Sequence, residues 1–412
     1  MTRGLVITVL HVIESLEIGG AERQLTAMLL RSDRRRFRHM VCALSTVSAH
    51  GGDLEHAGIP VYALGLVLPR DLLPALRRLR GLVADARPDV LHVSLYWSGV
   101  LGRFIGRLTQ VPVLNSLVDT LYEPEWTLDR DLHPLKAAAV RWLDAFTARR
   151  WGTQFMAISE AIKTSAVRRL RLDPARITVV PRGLEAERFA PPDPLDVAAL
   201  RRDLWGSASP AILSVGRLVA QKGYRYAIEA MARVVEEFPT ARLCIAGEGP
   251  LRAELSARIR RSQLNDHVRL LGSRGDVPAL LAACDLFIFP QLYGGFGNAL
   301  VEAMAMGKPC IVTRYLGAEE VTAGGTVASL VPARSSANVA RAIIGLARDP
   351  QAAARLGQKA AQWAWQRYDI TLSTRGLEHL LASLVEAKSP ARVLSESVSG
   401  MAPRRGRQEG ET

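Results

Sequence analysis

Short apolar runs rich in Val, Ile and Leu recur along the chain, and between them the apolar positions follow helical spacing. In the first half the runs predict strands near 5–13, 39–44, 59–64, 89–93, 111–116, 154–158 and 176–181. The intervening stretches predict helices near 20–31, 69–86, 97–109, 134–150 and 159–171. Strands that are continuously apolar, rather than alternating, are buried on both faces, which is the mark of a parallel sheet covered by helices. A Pro-rich, charged stretch at 190–203 (APPDPLDVAALRRD) reads as a linker with a short helix. The pattern then restarts at Ala211–Val215, with further strands near 241–246, 267–271, 285–289, 309–312 and 327–331. Helices are predicted near 221–237, 249–262, 276–283, 297–306 and 335–387. The expected fold class is therefore α/β, with two doubly wound, Rossmann-like domains facing each other across a cleft. The expected division is 1–187, a linker at 188–206, and 207–387, with the last helix packing back on the first domain. Residues 388–412 carry Ser, Gly, Pro and Arg without periodicity and are expected to be disordered. Ligands of such folds sit at the C-terminal edges of the strands.

Composition narrows this picture. At 412 residues the chain can bury two cores. The net charge is +13, and only six of the 53 basic residues are lysine. Such a surface attracts phosphate-bearing substrates, anionic lipid or nucleic acid, and it is equally what an Arg-rich coding bias produces. Nucleic acid is not an expected partner, because aromatics make up only 6% of the chain and do not interleave with the basic residues. Cys42, Cys244, Cys284 and Cys310 are widely spaced and read as reduced core residues rather than a disulfide frame or a metal site. Residues 3–13 (RGLVITVLHVI) imitate a signal peptide, but they are rich in β-branched residues and lack a small-x-small cleavage site, so a buried first strand is expected. No apolar run reaches the roughly 18 residues of a membrane span. The expected location is cytoplasmic, with peripheral attachment at the inner face of the membrane open. Residues 70–80 (RDLLPALRRLR) place leucines on one helical stripe with arginines beside it. That is either an ordinary domain helix or a seat on an anionic membrane surface.

Four glycine-and-charge clusters carry the candidate chemistry. Gly19-Gly20-Ala21-Glu22-Arg23 follows the first strand and opens a helix, where free N–H groups and the helix dipole favour a phosphate. Val215-Gly216-Arg217-Leu218, then Gln221-Lys222-Gly223, sets two cations five residues apart around a strand–helix loop, suited to gripping a diphosphate. Ala246-Gly247-Glu248-Gly249-Pro250 is a tight strand–helix turn. Residues 290–304 (PQLYGGFGNALVEAM) approach a helix N-terminus through Gly294, Gly295 and Gly297. Glu302 lies inside an otherwise apolar helix, where an unpartnered carboxylate would be costly.

Taken together, GGAER at 19–23, AISEAI at 157–162, VVPRGLEAERF at 179–189, VGRLVAQKG at 215–223, AGEGP at 246–250 and PQLYGGFGNALVEAMAMGKP at 290–309 resemble the retaining GT-B glycosyltransferases of family 4, the glycosyl transferases group 1. The resemblance spans nearly the whole chain, and it makes 1–187 the acceptor side and 207–387 the nucleotide-sugar donor side. It implies transfer of a sugar from a nucleotide-sugar donor to a glycan, lipid-linked or small-molecule acceptor, with retained configuration and no required metal or cofactor. By that resemblance Arg217 and Lys222 bind the donor diphosphate and Glu302 holds the ribose. Phe296, Gly297 and Asn298, with Gly295, touch phosphate or sugar, and Gly19 and Gly20 approach the diphosphate from the other domain. Gly247 and Arg274 join the donor side, Arg274 at the nucleobase. Two departures stand out. The first of the family's paired glutamates falls on Gly294, and a histidine common after the strand of VPVLNSLVDT (111–120) falls on Val118, beside Asp119. Asp119, Glu14 and His92 are the candidate substitutes, with Asp119 counted among the catalytic residues. A non-catalytic relative that binds a nucleotide or a protein partner is the alternative these departures raise.

Overall fold

The computed structural model describes residues 6–17, 19–47, 49–120, 122–124 and 133–388. It contains two parallel sheets flanked by helices. The first has the order β3-β2-β1-β4-β5-β6-β7, from β1 (Ile7–Ile13), β2 (Phe37–Ala43), β3 (Val61–Ala63), β4 (Val90–Ser94), β5 (Val113–Leu117), β6 (Gln154–Ala157) and β7 (Ile177–Val179). The second has the order β10-β9-β8-β11-β12-β13, from β8 (Ala211–Val215), β9 (Arg242–Ala246), β10 (Val268–Gly272), β11 (Leu286–Phe289), β12 (Cys310–Thr313) and β13 (Ser329–Val331). Every predicted strand is present. The central ones, β4, β11 and β12, are buried along their whole length, as strands covered on both faces must be.

Differences arise where tertiary contacts override local pattern. The predicted helix 335–387 is three helices, Ser336–Arg348, Pro350–Arg367 and Ile370–Lys388. Pro350 has no N–H to continue the first, and Asp349 caps the second by accepting from the Ala352 N–H at 2.8 Å. The second break comes where Leu184 N donates to Tyr368 O and Ile370 N donates to Leu184 O at 3.0 Å. This bridge turns the chain back, so that Ile370–Lys388 packs on the helix Gly20–Arg31 and on β1 and β4. A helix at Ala49–His56 (AHGGDLEH) was not expected from two glycines, and it is held by the fully buried Leu54. Of the tail expected to be disordered from 388 to 412, Lys388 ends the last helix and 389–412 lie outside the described residues.

All four cysteines are free and buried. Burial pushes the Cys42, Cys244 and Cys284 thiols up to about 12, so they sit in the fold as unreactive apolar groups. Among the described residues no helix is long and apolar enough to cross a membrane. The leucine stripe of the helix Leu72–Ala86 is split. Leu79 is buried with Ala75 and Val83, whereas Leu73 is 67% exposed beside the arginines.

Candidate active site

The C-terminal edges of both sheets meet across one cleft, and the glycine and charge clusters lie on its two walls. On the first wall, β1 leads to Gly19 and the N-terminus of the helix Gly20–Arg31. The two walls come close at Gly20, where a Cβ would stand 2.8 Å from Asn298 Nδ2 and 3.0 Å from Arg182 Nη1. Asn298 opens the helix Asn298–Ala305 on the second wall, so two helix N-termini face each other across the cleft. Their free N–H groups and dipole ends sum into a positive field between them. The Glu22 carboxylate curls back over Gly19, within 2.1 Å of where a Cβ would be, and lies near Arg182.

Arg182, three residues past β7, donates to Asn298 Oδ1 at 3.2 Å. Burial lowers it to about 10, opposed by the charges of Asp119 and Glu22, so it stays cationic at neutral pH. Asp119, two residues past β5, receives the Thr120 N–H at 2.8 Å. Its charge reaches both Arg182 and Lys222.

On the second wall Lys222 donates to Gln291 Oε1 at 2.5 Å and lies 5.2 Å from the centre of the Phe289 ring. Burial lowers its ammonium to about 8. Asp119 opposes the shift and Arg217 adds to it, so the two cations of the β8 loop are close enough to repel. Arg217 itself is exposed. Gly216 and Gly247 let the loops after β8 and β9 touch, since a Cβ on Gly247 would stand 2.0 Å from Gly216 O. Gly247 thus serves loop packing. Arg274 grips Asp276, with Nε to Oδ1 at 2.8 Å, beyond the edge strand β10.

The loop 290–298 is fixed from both sides. Gly297 has φ +140° and Gly294 φ +142°, a region other residues rarely adopt. A Cβ on Gly294 would also stand 2.5 Å from Gln291 Nε2. The space of the family's glutamate is thus occupied by the Gln291 carboxamide, which is 3% exposed. The Phe296 ring packs edge-on to Tyr368, and its carbonyl accepts from the Tyr315 hydroxyl, so Phe296 offers only backbone to the cleft. Gly295 O accepts from Ser159 Oγ at 2.7 Å across the cleft.

Glu302 is buried, and Arg23 of the first wall pairs with it directly. Arg23 therefore holds the carboxylate that the resemblance gives to the ribose. Of the three candidate substitutes, Asp119 faces the cations. Glu14 Oε1 accepts the Trp97 N–H at 2.7 Å at the same sheet edge. His92 does not belong to the cleft. It is 1% exposed within the first sheet, bonded to His11 and Ser116. The sequence reading passed over Arg23, Arg182 and Gln291. Arg182 had a signal, a cation just past a strand end, whereas the roles of Arg23 and Gln291 depend on partners far off in sequence or on a backbone angle. Among the described residues no group of three or more His, Cys, Asp or Glu stands together as metal ligands do.

The family model described as glycosyl transferase 4-like domain matches residues 19–183, and that described as glycosyl transferases group 1 matches residues 201–363. The UDP-Gal:alpha-D-GlcNAc-diphosphoundecaprenol alpha-1,3-galactosyltransferase of Escherichia coli is 29% identical over 264 residues, covering 63% of this chain and 66% of that protein. The glycogen synthase of Mycobacterium tuberculosis is 27% identical over 343 residues, covering 81% and 78%. Among solved structures, Anabaena Alr3699/HepE in complex with UDP superposes with a TM-score of 0.79 at 24% identity, over 92% of this chain and 100% of that one. WaaG, a glycosyltransferase involved in lipopolysaccharide biosynthesis, superposes with a TM-score of 0.72 at 16% identity, over 90% and 98%. One model fits each wall of the cleft and the whole fold superposes, so this chain belongs to the GT-B glycosyltransferases.

Proposed function

We propose that this protein transfers a sugar from a nucleoside-diphosphate sugar to an acceptor hydroxyl with retained configuration, the diphosphate lying between Gly20 and Asn298. One observation carries the reading. Arg182 meets Gly20 and Asn298 where two helix N-termini come together, Lys222 shares the Asp119 charge with Arg182, and Arg217 stands beside Lys222. In the proposed step the bond from the sugar's anomeric carbon to the phosphate oxygen breaks while the acceptor oxygen bonds to that carbon on the same face. The acceptor proton passes to the leaving phosphate, and the nucleoside diphosphate departs. The protein then needs to stabilise phosphate charge and to align the reactants, and fixed cations and N–H groups do both without a metal. Glu302 would exchange Arg23 for the ribose hydroxyls, which frees Arg23 beside the phosphates. Uridine is the first base to test, because UDP-Gal stands in the name of one relative and a fold neighbour was solved with UDP-glucose.

The experiment incubates the protein with a panel of sugar nucleotides and follows nucleotide release, alongside calorimetric titration of the free diphosphates. Release with one donor is expected. Arg217→Ala, Lys222→Ala and Glu302→Ala should each weaken donor use about tenfold or more, the scale of one lost charged contact. Unchanged donor kinetics in all three would refute the site. Tight diphosphate binding without release on any acceptor would favour the non-catalytic reading that Gly294 raises.

A further inference from the structure

The loop after β11 lies in main-chain contact with the loop after β8. A Cβ on Gly223 would stand 2.1 Å from Pro290 O. Leu292 N donates to Gln221 O at 2.8 Å, and Gln221 Nε2 donates to Tyr293 O at 3.1 Å. Thr313 Oγ1 donates to Gln291 O at 2.5 Å. These bonds fix the main chain on both sides of Gln291, whose side chain is buried against Lys222.

Chemistry sets the orientation of its carboxamide. An ammonium has only donors, so the atom facing Lys222 Nζ at 2.5 Å is the oxygen, Oε1. The nitrogen then points to Gly294, whose missing side chain leaves room for it. The ammonium also lies over the Phe289 ring. A carboxamide oxygen and a ring face attract a cation without cancelling its charge, whereas a carboxylate in the same place would cancel it. Charges act on Lys222 through space as well. Asp119, beyond β5, attracts it and shares its charge with Arg182, and Arg217, on the loop after β8, repels it.

Building on the transferase reading above, we infer that Gln291 is a positioning residue, which aims the Lys222 ammonium at the donor diphosphate while leaving its charge uncancelled. Gln291 itself touches no substrate. A glutamate in its place would hold the ammonium in an ion pair, and the diphosphate would have to compete with that carboxylate. An apolar side chain of the same length would leave the ammonium unaimed and harder to keep charged where it is buried. The bare Gly294 belongs to the same device, because it gives the carboxamide the space in which to turn its oxygen to Lys222.

The test is calorimetric titration of the full chain with UDP from pH 7 to 10, unaltered and as Gln291→Glu and Gln291→Met. In the unaltered protein the affinity should fall above about 8, where the buried ammonium loses its proton. In Gln291→Glu the carboxylate favours the ammonium. The fall should then begin at least about one pH unit higher, from an affinity about tenfold weaker at pH 7. Gln291→Met removes the acceptor, so the fall should begin at least about half a unit lower. A residue that only packed the loop would shift neither onset. An onset unmoved by both variants, or moved the same way by both, would overturn the inference and leave the diphosphate seat standing. A flat profile in the unaltered protein would overturn it as well, by taking Lys222 off the phosphates. Absence of UDP binding by the unaltered protein would instead count against the transferase reading. Thermal melts identify a variant that fails to fold, and the direction of the other's shift then decides.

Discussion

Lys222 shows how one residue couples the site to its surroundings. Its ammonium is held by Gln291 and the face of Phe289, and burial with Arg217 nearby lowers it to about 8. The charged form is the one a diphosphate binds. Because the free-state value is depressed, the cation is complete only below about 8 and is lost as pH rises through it. UDP affinity should therefore be highest near pH 7 and fall above 8, by up to about tenfold per pH unit. Lys222→Arg should flatten that fall, since a guanidinium keeps its charge. Calorimetric titrations from neutral to alkaline pH measure both, and a flat profile in the unaltered protein would remove Lys222 from the phosphates. The same neighbourhood explains the departure at Gly294. A φ of +142° and the Gln291 carboxamide together leave no room for a side chain, so glycine there belongs to the local backbone rather than to a simple loss of a glutamate.

At the scale of elements, the first sheet carries a buried polar chain that the proposed mechanism does not use. Glu378, on the helix Ile370–Lys388, accepts from Ser32 Oγ at 2.7 Å. Ser32 Oγ in turn meets His39 Nε2 at 2.9 Å, His39 Nδ1 meets His11 Nε2 at 2.9 Å, and His11 Nδ1 meets His92 Nδ1 at 2.8 Å. His92 Nε2 meets Ser116 Oγ at 2.7 Å. The chain crosses β2, β1, β4 and β5 in turn. A carboxylate can only accept, so every proton points towards Glu378 and each ring is neutral with one N–H. Burial keeps them so, lowering His39 to about 4, His92 to about 3, and His11 well below its ordinary value. The folded values are depressed, so this contribution to stability is complete above about 6.5 and is lost as pH falls from there towards 3–4. Each ring costs up to about 1.4 kcal/mol per pH unit in that window. The denaturation midpoint should drop steeply between pH 6.5 and 4.5, with three histidine ring signals that do not titrate above pH 5 in proton NMR. Titration of all eight histidines near 6.5 would contradict it. Nothing in the sequence announced this chain, because His11, His39 and His92 sit in separate apolar runs and meet only through strand order. The strands themselves were legible from their apolar runs, and the cations of the β8 loop from their place at a strand end. The Arg23–Glu302 pair was not, since it joins residues 279 apart. Nor was the division of the last helical stretch, which depends on the bridge from Leu184 to Asp369.

For the whole molecule, the decisive geometry is that the cleft is closed, by contacts that cost little to part. Arg23 meets Glu302, Arg182 meets Asn298, Ser159 meets Gly295, and Glu320 takes the N–H groups of Glu160 and Ala161 at 3.1 Å. All are polar, the Ser159–Gly295 bond and Glu302 being buried, as suits domains that must part for substrates to enter and products to leave. Gly295 is the steric gauge of that closure. A Cβ on it would stand 2.1 Å from Ile162 Cγ1 and 3.0 Å from Thr120 Cγ2, both on the first domain and both nearly inaccessible to solvent. Gly295→Ala should therefore hold the domains apart. Arg217 and Lys222 stay with the second domain while Gly20 and Arg182 withdraw, so UDP should still bind but less tightly. Turnover should fall about tenfold or more, because Gly20, Arg182 and Asp119 no longer reach the donor. The radius of gyration from solution scattering should rise relative to the unaltered protein with UDP bound. Ile162→Ala in the same chain relieves the clash, so the pair should recover both turnover and compactness, a coupling that two independent defects would not produce. If Gly295→Ala leaves scattering and turnover unchanged, the domains do not react in the closed arrangement, and the alignment of Gly20 with Asn298 is not that of the working enzyme.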